Sequence, residues 1–90
     1  MEDNLIALIT AHISTFSKGQ KKIAQYIAEH YDEAAFMTAL RLGQTVGTSE
    51  STVVRFAAQL GFDGYPEMQA AMQELIRSRL TTLQRIEVSR

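Results

Sequence analysis

Thr38-Ala39-Leu40-Arg41-Leu42-Gly43-Gln44-Thr45-Val46-Gly47-Thr48-Ser49-Glu50-Ser51-Thr52-Val53-Val54-Arg55-Phe56-Ala57-Ala58-Gln59-Leu60 is the stretch whose reading decides the fold. Two short segments of helical period flank the turn Gly47-Thr48-Ser49. Thr38 caps the first segment, and Gly47 stops it by offering a left-handed backbone. Ser49 caps the second, from about Glu50 to Leu60, and Gly61 ends it in the same way. A turn of about three residues with a Gly in it fits a helix-turn-helix unit. Gly43, one turn before the stop, is read as the small residue required where the two helices cross. Leu42 and Val46 supply the first helix's core contacts. Val53, Phe56, Ala57 and Leu60 fall at i, i+3, i+4 and i+7 and make one inward stripe on the second.

The opposite face of the second helix carries the candidate chemistry. A projection at about 100° per residue centres Ser51, Arg55 and Ala58 there, flanked by Thr52, Gln59 and Val54. A recognition helix enters the DNA major groove with its N-terminal residues leading. Small side chains let its backbone come close, and an Arg reaches guanine O6 and N7 in a bidentate fork. On this reading Arg55 contacts a base, Val54 meets a thymine methyl, and Ser51 and Thr52 bond bases or phosphates. Each feature also has a plainer structural reading. Ser49 and Thr52 cap a helix, Glu50 favours its positive end, and Val54 packs against a neighbour.

Upstream, a first helix is expected from about Asn4 to Ser14, with Leu5, Leu8, Ile9 and Ile13 on one side. Ser17 and Gln20 form a capping box for a second helix that runs to about Tyr31, with Ile23, Ile27 and Tyr31 as its stripe. Asp32 to Phe36 reads as a short helical turn. Downstream, the turn Gly61 to Tyr65 leads to Pro66, which suits the first position of a fifth helix. That helix continues as far as Ile86, with Met68, Met72, Leu75, Ile76, Leu80 and Leu83 on one stripe. Period-two alternation is almost absent. The expected fold is all-α, a bundle of five to six helices containing a helix-turn-helix and no sheet. Residues 1–77 are assigned to the helix-turn-helix domain and 78–90 to a helical extension or linker.

Composition narrows the function. Ninety residues with 46% apolar content fit one domain with a modest core. There is no Cys, which removes disulfides, thiolate metal sites and Cys nucleophiles together. His12 and His30 lie on different expected helices with no carboxylate pair at ligand spacing, so no metal and no cofactor is expected. The hydroxyls have no motif-spaced His to activate them, and an enzyme is not expected. No apolar run approaches the ~18 residues that cross a bilayer, and no signal peptide opens the chain. The reading is a soluble, cytoplasmic protein with no membrane partner. A net charge of −1 argues against a nonspecific nucleic-acid coat but leaves room for a local basic face. Lys21 and Lys22, close to the Ser17 cap, and Arg41 are the expected phosphate anchors. Ser49, Glu50, which could read a cytosine N4, Gln59, Thr38 and Tyr65 complete the set of candidate DNA contacts.

The run from Thr48 to Glu67 resembles the RpiR family of bacterial regulators, through S-x-x-T-V-x-R-F followed by L-G-F-x-G-Y. Lys22-Ile23-Ala24-Gln25-Tyr26-Ile27 and Phe36-Met37-Thr38 match the family's pattern too, so the resemblance covers about residues 5–77. It implies an N-terminal helical DNA-binding domain joined to a sugar-isomerase (SIS) domain that senses phosphorylated sugars. These ninety residues hold no part of the second domain, so a phosphosugar effector acts only through a domain outside them. The chain departs from the pattern at Ala58-Gln59 and at Gln69, where the family often has basic residues, and at Thr48, where it often has Val. The first two departures imply fewer phosphate partners.

The expected function is sequence-specific binding of double-stranded DNA, as the operator-reading module of a regulator of sugar metabolism. The fifth helix is long for so small a bundle, and the first has more apolar surface than one face requires. A homodimer built from one or both is expected, on a two-fold-related site. The rival is a helical protein-interaction module in which Met72, Leu75, Ile76, Leu80 and Leu83 dock a partner.

Overall fold

The computed structural model describes the backbone of residues 4–89 and the side chains of residues 4–78. Helix α1 spans Leu5–His12 and is followed by a 3-10 turn, Ile13–Thr15. Helix α2 spans Lys18–Ala34, α3 Ala39–Val46, α4 Glu50–Gln59 and α5 Tyr65–Ser89. Among the described residues there is no strand, and the fold is all-α with a helix-turn-helix made by α3 and α4.

Local chemistry sets most of the boundaries. Asn4 Oδ1 accepts the Ala7 N–H at 3.0 Å and starts α1. The Ser17–Gln20 capping box is complete: Ser17 Oγ accepts the Gln20 N–H at 3.2 Å, and Gln20 Oε1 accepts the Ser17 N–H at 2.9 Å. Thr38 Oγ1 and Ser49 Oγ cap α3 and α4 through the N–H groups of Arg41 and Thr52, each at 3.1 Å. Caps of this kind contribute ~1 kcal/mol each. Gly47 at φ 83° and Gly61 at φ 99° end α3 and α4. Beyond them, the N–H groups of Thr48 and Phe62 turn back to the carbonyls of Gly43 (2.8 Å) and Ala57 (3.1 Å). These bonds satisfy carbonyls that a helix end leaves open.

Three boundaries differ from expectation. Helix α1 stops at His12, and the tighter 3-10 winding turns Ile13 off the apolar stripe, leaving it 45% exposed. Helix α2 does not end at Tyr31. It bends at His30, whose φ and ψ of −138° and 40° are not helical, and continues to Ala34. Helix α5 starts at Tyr65, one residue before Pro66.

The core is centred on α2, which packs on α3, α4 and α5. Ile23, Ile27, Leu42, Val53, Phe56, Met68 and Met72 are its fully buried side chains. The Phe16 and Phe56 rings lie 5.0 Å apart at 46°, tying the segment before α2 to the middle of α4. Helix α5 grips the connection between α2 and α3. Gln69 Nε2 donates to the carbonyls of Ala35 (2.9 Å) and Met37 (3.2 Å), and Gln73 Nε2 donates to Ala35 (3.1 Å). Gln69, expected as a lost phosphate partner, thus has an internal task. Met72 is fully buried and Leu75 and Ile76 are half-buried against the core, so this part of the supposed docking stripe is already covered within the chain. Leu80 and Leu83, with Arg79, Arg85 and Arg90, lie outside the described side chains.

Candidate nucleic-acid interface

Helix α4 presents two unlike sides. Val53, Phe56, Ala57 and Leu60 are buried as their spacing predicts. Ser51, Val54, Arg55 and Ala58 are exposed, with Val54 at 41%. The exposed side is therefore low in profile, with one long cation rising from it. Arg55 is exposed, and among the described residues no side chain is paired with it in a salt bridge.

The N-terminal end of α4 holds a knot of hydroxyls. Ser49 Oγ, besides capping the helix, lies 3.1 Å from Ser51 Oγ and 2.8 Å from Thr52 Oγ1. Thr52 is half-buried against α2, where its methyl lies 3.7 Å from the position a Cβ would take on Gly19. Glu50 is exposed in the first turn, where a carboxylate favours the positive helix end.

The close turn depends on Gly43. A Cβ there would stand 3.0 Å from the Thr48 carbonyl oxygen and 3.1 Å from the Ser49 carbonyl carbon and oxygen. The expectation that a small residue is needed holds, but the obstacle is the backbone of the turn rather than the body of α4.

The expected cations divide. Lys21 lines the groove between α1 and α2, with Ile6, Ile9 and Ile13. Lys22 lines the groove between α2 and α3, with Tyr26 and Thr45. Adjacent residues point about 100° apart on a helix, so the two lysines serve different surfaces. Lys18, one turn before Lys22, shares its side of α2 through an i, i+4 spacing that is visible in the sequence. Arg41 is exposed on α3, near enough to Tyr26 for its charge to act on the phenol. Thr38 is exposed but committed to its cap.

Two candidate contacts are engaged by partners within the chain. Tyr65 is only 7% exposed, and its hydroxyl donates to the Met37 carbonyl at 2.6 Å. Burial pushes that phenol up to about 12, so it stays a hydrogen-bond donor across the physiological range. Tyr65 is a strut between α5 and the start of α3. Gln59 folds back as well. Its Nε2 donates to Thr15 Oγ1 (2.9 Å) and the Thr15 carbonyl (3.2 Å), and its Oε1 accepts from Gln20 Nε2 at 2.8 Å. Among the described residues there is no group of His and carboxylates able to hold a metal, and no helix is long and apolar enough to cross a membrane.

Residues 3–79 match the helix-turn-helix domain of the rpiR family. The chain belongs to this family. The RpiR resemblance read from the Thr48–Glu67 run is thereby established over nearly the whole domain. Among relatives, the HTH-type transcriptional regulator YfhH of Escherichia coli K12 is 33% identical over 63 residues, which cover 70% of this chain and 22% of YfhH. The HTH-type transcriptional regulator HexR of Pseudomonas aeruginosa is 29% identical over 75 residues, covering 83% of this chain and 26% of HexR. A solved structure of the Vibrio vulnificus NanR protein complexed with ManNAc-6P superposes with a TM-score of 0.78 at 29% identity. That match covers 89% of this chain and 31% of NanR. The chain thus spans between a fifth and a third of the length of these relatives. It is the helix-turn-helix domain of a transcriptional-regulator family, and α4 is the second helix of that unit.

Proposed function

We propose that this rpiR-family domain binds double-stranded DNA with sequence preference and serves as the operator-reading module of a bacterial transcriptional regulator. The observation that carries the reading is the solvent face of α4: Ser51, Val54 and Ala58 lie low around one unpaired Arg55, on a helix whose other side is fully committed to the core. Such a face enters a major groove without steric conflict and presents a single bidentate donor to guanine. Ser51 and Thr52 contact bases or nearby phosphates, Val54 a thymine methyl, and Ser49 and Glu50 the edge of the groove. Lys18, Lys22, Arg41 and Thr38 track the phosphates on the neighbouring flank. The domain performs no catalysis and acts in the cytoplasm. Electrophoretic mobility shifts on genomic fragments at several salt concentrations test the reading. Retained complexes that weaken with salt support it, and no complex at low salt refutes it.

Arg55→Ala is expected to lower affinity for the preferred duplex by about tenfold to a hundredfold, the cost of one bidentate contact at ~1–3 kcal/mol. Its melting temperature stays within a few degrees of wild type, because Arg55 is exposed and leaves no cavity. A large drop in melting temperature would make Arg55 a structural residue instead.

The lysines separate in the same assay. Replacing Lys18 and Lys22 together with Gln weakens binding to all duplexes alike. It also flattens the slope of log affinity against log salt by about one to two units per subunit. Lys21→Gln leaves the slope where it was, since Lys21 lines the α1–α2 groove. Equal effects from Lys21 and Lys22 would remove the assignment.

We further propose that the domain acts as a homodimer on a two-fold site. Helix α5, 25 residues long, runs about 37 Å in a molecule measuring 45 × 24 × 21 Å, which supports a role for its distal part or for α1 in pairing. Residues 78–90 then lead toward a further domain that binds a phosphosugar effector and governs a gene of sugar metabolism. The family resemblance supports this, as does a NanR neighbour complexed with ManNAc-6P. Sedimentation at micromolar concentration is expected to give a dimer. A strict monomer, unchanged by truncation at Arg77, contradicts pairing through α5.

A further inference from the structure

We infer that Gln59 is a positioning residue. Held by Thr15 and Gln20, it fixes the rotation of α4 against α2 and thereby sets sequence specificity without touching DNA. The inference rests on the DNA-binding reading above and concerns how that reading is made precise. The apolar side of α4, Val53, Phe56, Ala57 and Leu60, sets its depth in the core. Close packing of that stripe sets the rotation of α4 only to within the slack of its side chains. Hydrogen bonds have direction. Among the described residues, the side-chain hydrogen bonds from α4 to distant parts of the chain all belong to Gln59. They reach Thr15, 44 residues upstream, and Gln20, 39 residues upstream.

The bonds form a continuous chain. Gln59 Nε2 donates to Thr15, Gln20 Nε2 donates to Gln59 Oε1 at 2.8 Å, and the Ser17 N–H donates to Gln20 Oε1 at 2.9 Å. Gln20 is only 8% exposed, so its amide is held within the fold. Gln59 follows Arg55 by four residues and shares its side of the helix. Anchoring Gln59 therefore fixes the direction in which Arg55 leaves α4. A bidentate fork tolerates a displacement of only about half an ångström, whereas contacts with phosphates by flexible lysines tolerate more. Loss of the strut should therefore reduce discrimination between sequences while leaving general affinity intact.

The test uses the 90-residue chain. The duplex it enriches from a random pool, and a scrambled version of that duplex, are the probes. Gln59→Ala is expected to lower the ratio of the two affinities about tenfold, with affinity for the scrambled duplex and its salt slope unchanged. Gln59→Met, which keeps the length of the side chain, replaces it should the Ala variant not fold. Gln20→Ala should lower the ratio similarly although its side chain is buried, and the double variant should be no worse than either single one. Ser17→Ala, which removes the cap and keeps the strut, should leave the ratio unaltered. A ratio unchanged in Gln59→Ala overturns the inference. So does a loss in Gln59→Ala that Gln20→Ala fails to reproduce, because Gln59 would then contact DNA directly. A loss matched by Ser17→Ala overturns it too, by assigning the effect to the cap. If the wild-type chain enriches no sequence, the DNA-binding reading itself falls, and this inference with it.

Discussion

Phe56→Ala is expected to destabilise the domain by about 3–5 kcal/mol, the usual cost of deleting a fully buried aromatic side chain. Phe56 has no exposed surface and stands 5.0 Å from the ring of Phe16. It therefore seals α4 against both the core and the segment entering α2. For a domain of this size total stability is about 5–13 kcal/mol, so the loss removes a large share of it. The variant's urea midpoint should fall steeply, and its DNA binding should fail because α4 is no longer held. Phe16→Ala should cost less, since Phe16 retains a little exposure at 6% and lies in a connecting segment. A loss below about 1 kcal/mol for Phe56→Ala would mean that the core is not organised around α4.

Gly43→Leu should be similarly damaging for the opposite reason. Leu42, on the same helix, has room in the core. Gly43 has none, because its missing side chain would meet backbone atoms of Thr48 and Ser49 at 3.0–3.1 Å. That backbone cannot easily give way. It is held by the left-handed Gly47 and by the Thr48 N–H bond to the Gly43 carbonyl at 2.8 Å. Overpacking of this kind costs ~1–3 kcal/mol or more, and with a rigid obstacle the upper end or beyond is expected. Gly43→Ala is the informative companion. It adds only the Cβ, and the gain in helix propensity of up to ~1 kcal/mol offsets part of the clash. Its thermal midpoint should shift by a few degrees, whereas that of the Leu variant should fall by more than about ten. Equal midpoints for wild type and Gly43→Leu would mean that the turn does not approach α3.

Phe56 and Gln59, one turn apart on α4, differ in how far their surroundings could be read from the chain, and the difference is one of local against distant chemistry. Caps and stops depend on residues three or four positions apart, so Ser17 with Gln20, Thr38, Ser49, Gly47 and Gly61 were all legible. The buried stripe of α4, with Phe56 in it, followed from period alone. Tyr65 could not be read, because its burial depends on the Met37 carbonyl, 28 residues away in sequence. Spacing placed Gln59 on the flank of the exposed face but said nothing of where a long amide bends, and its partners lie outside its own helix. Lys21 and Lys22 looked like one basic pair because adjacency in sequence hides their divergence around α2. The bend at His30 carries no Pro or Gly to mark it in the sequence.

Reading of base edges by α4 through Arg55 is the central claim. Selection of duplexes from a random pool, followed by methylation interference at guanine N7 on the enriched site, tests it most directly. One enriched sequence family is expected, in which methylating a particular guanine N7 blocks binding by the wild-type domain, and Arg55→Ala is expected to lose its preference for that base. No enrichment, or an enriched site that Arg55→Ala prefers just as strongly, would contradict it.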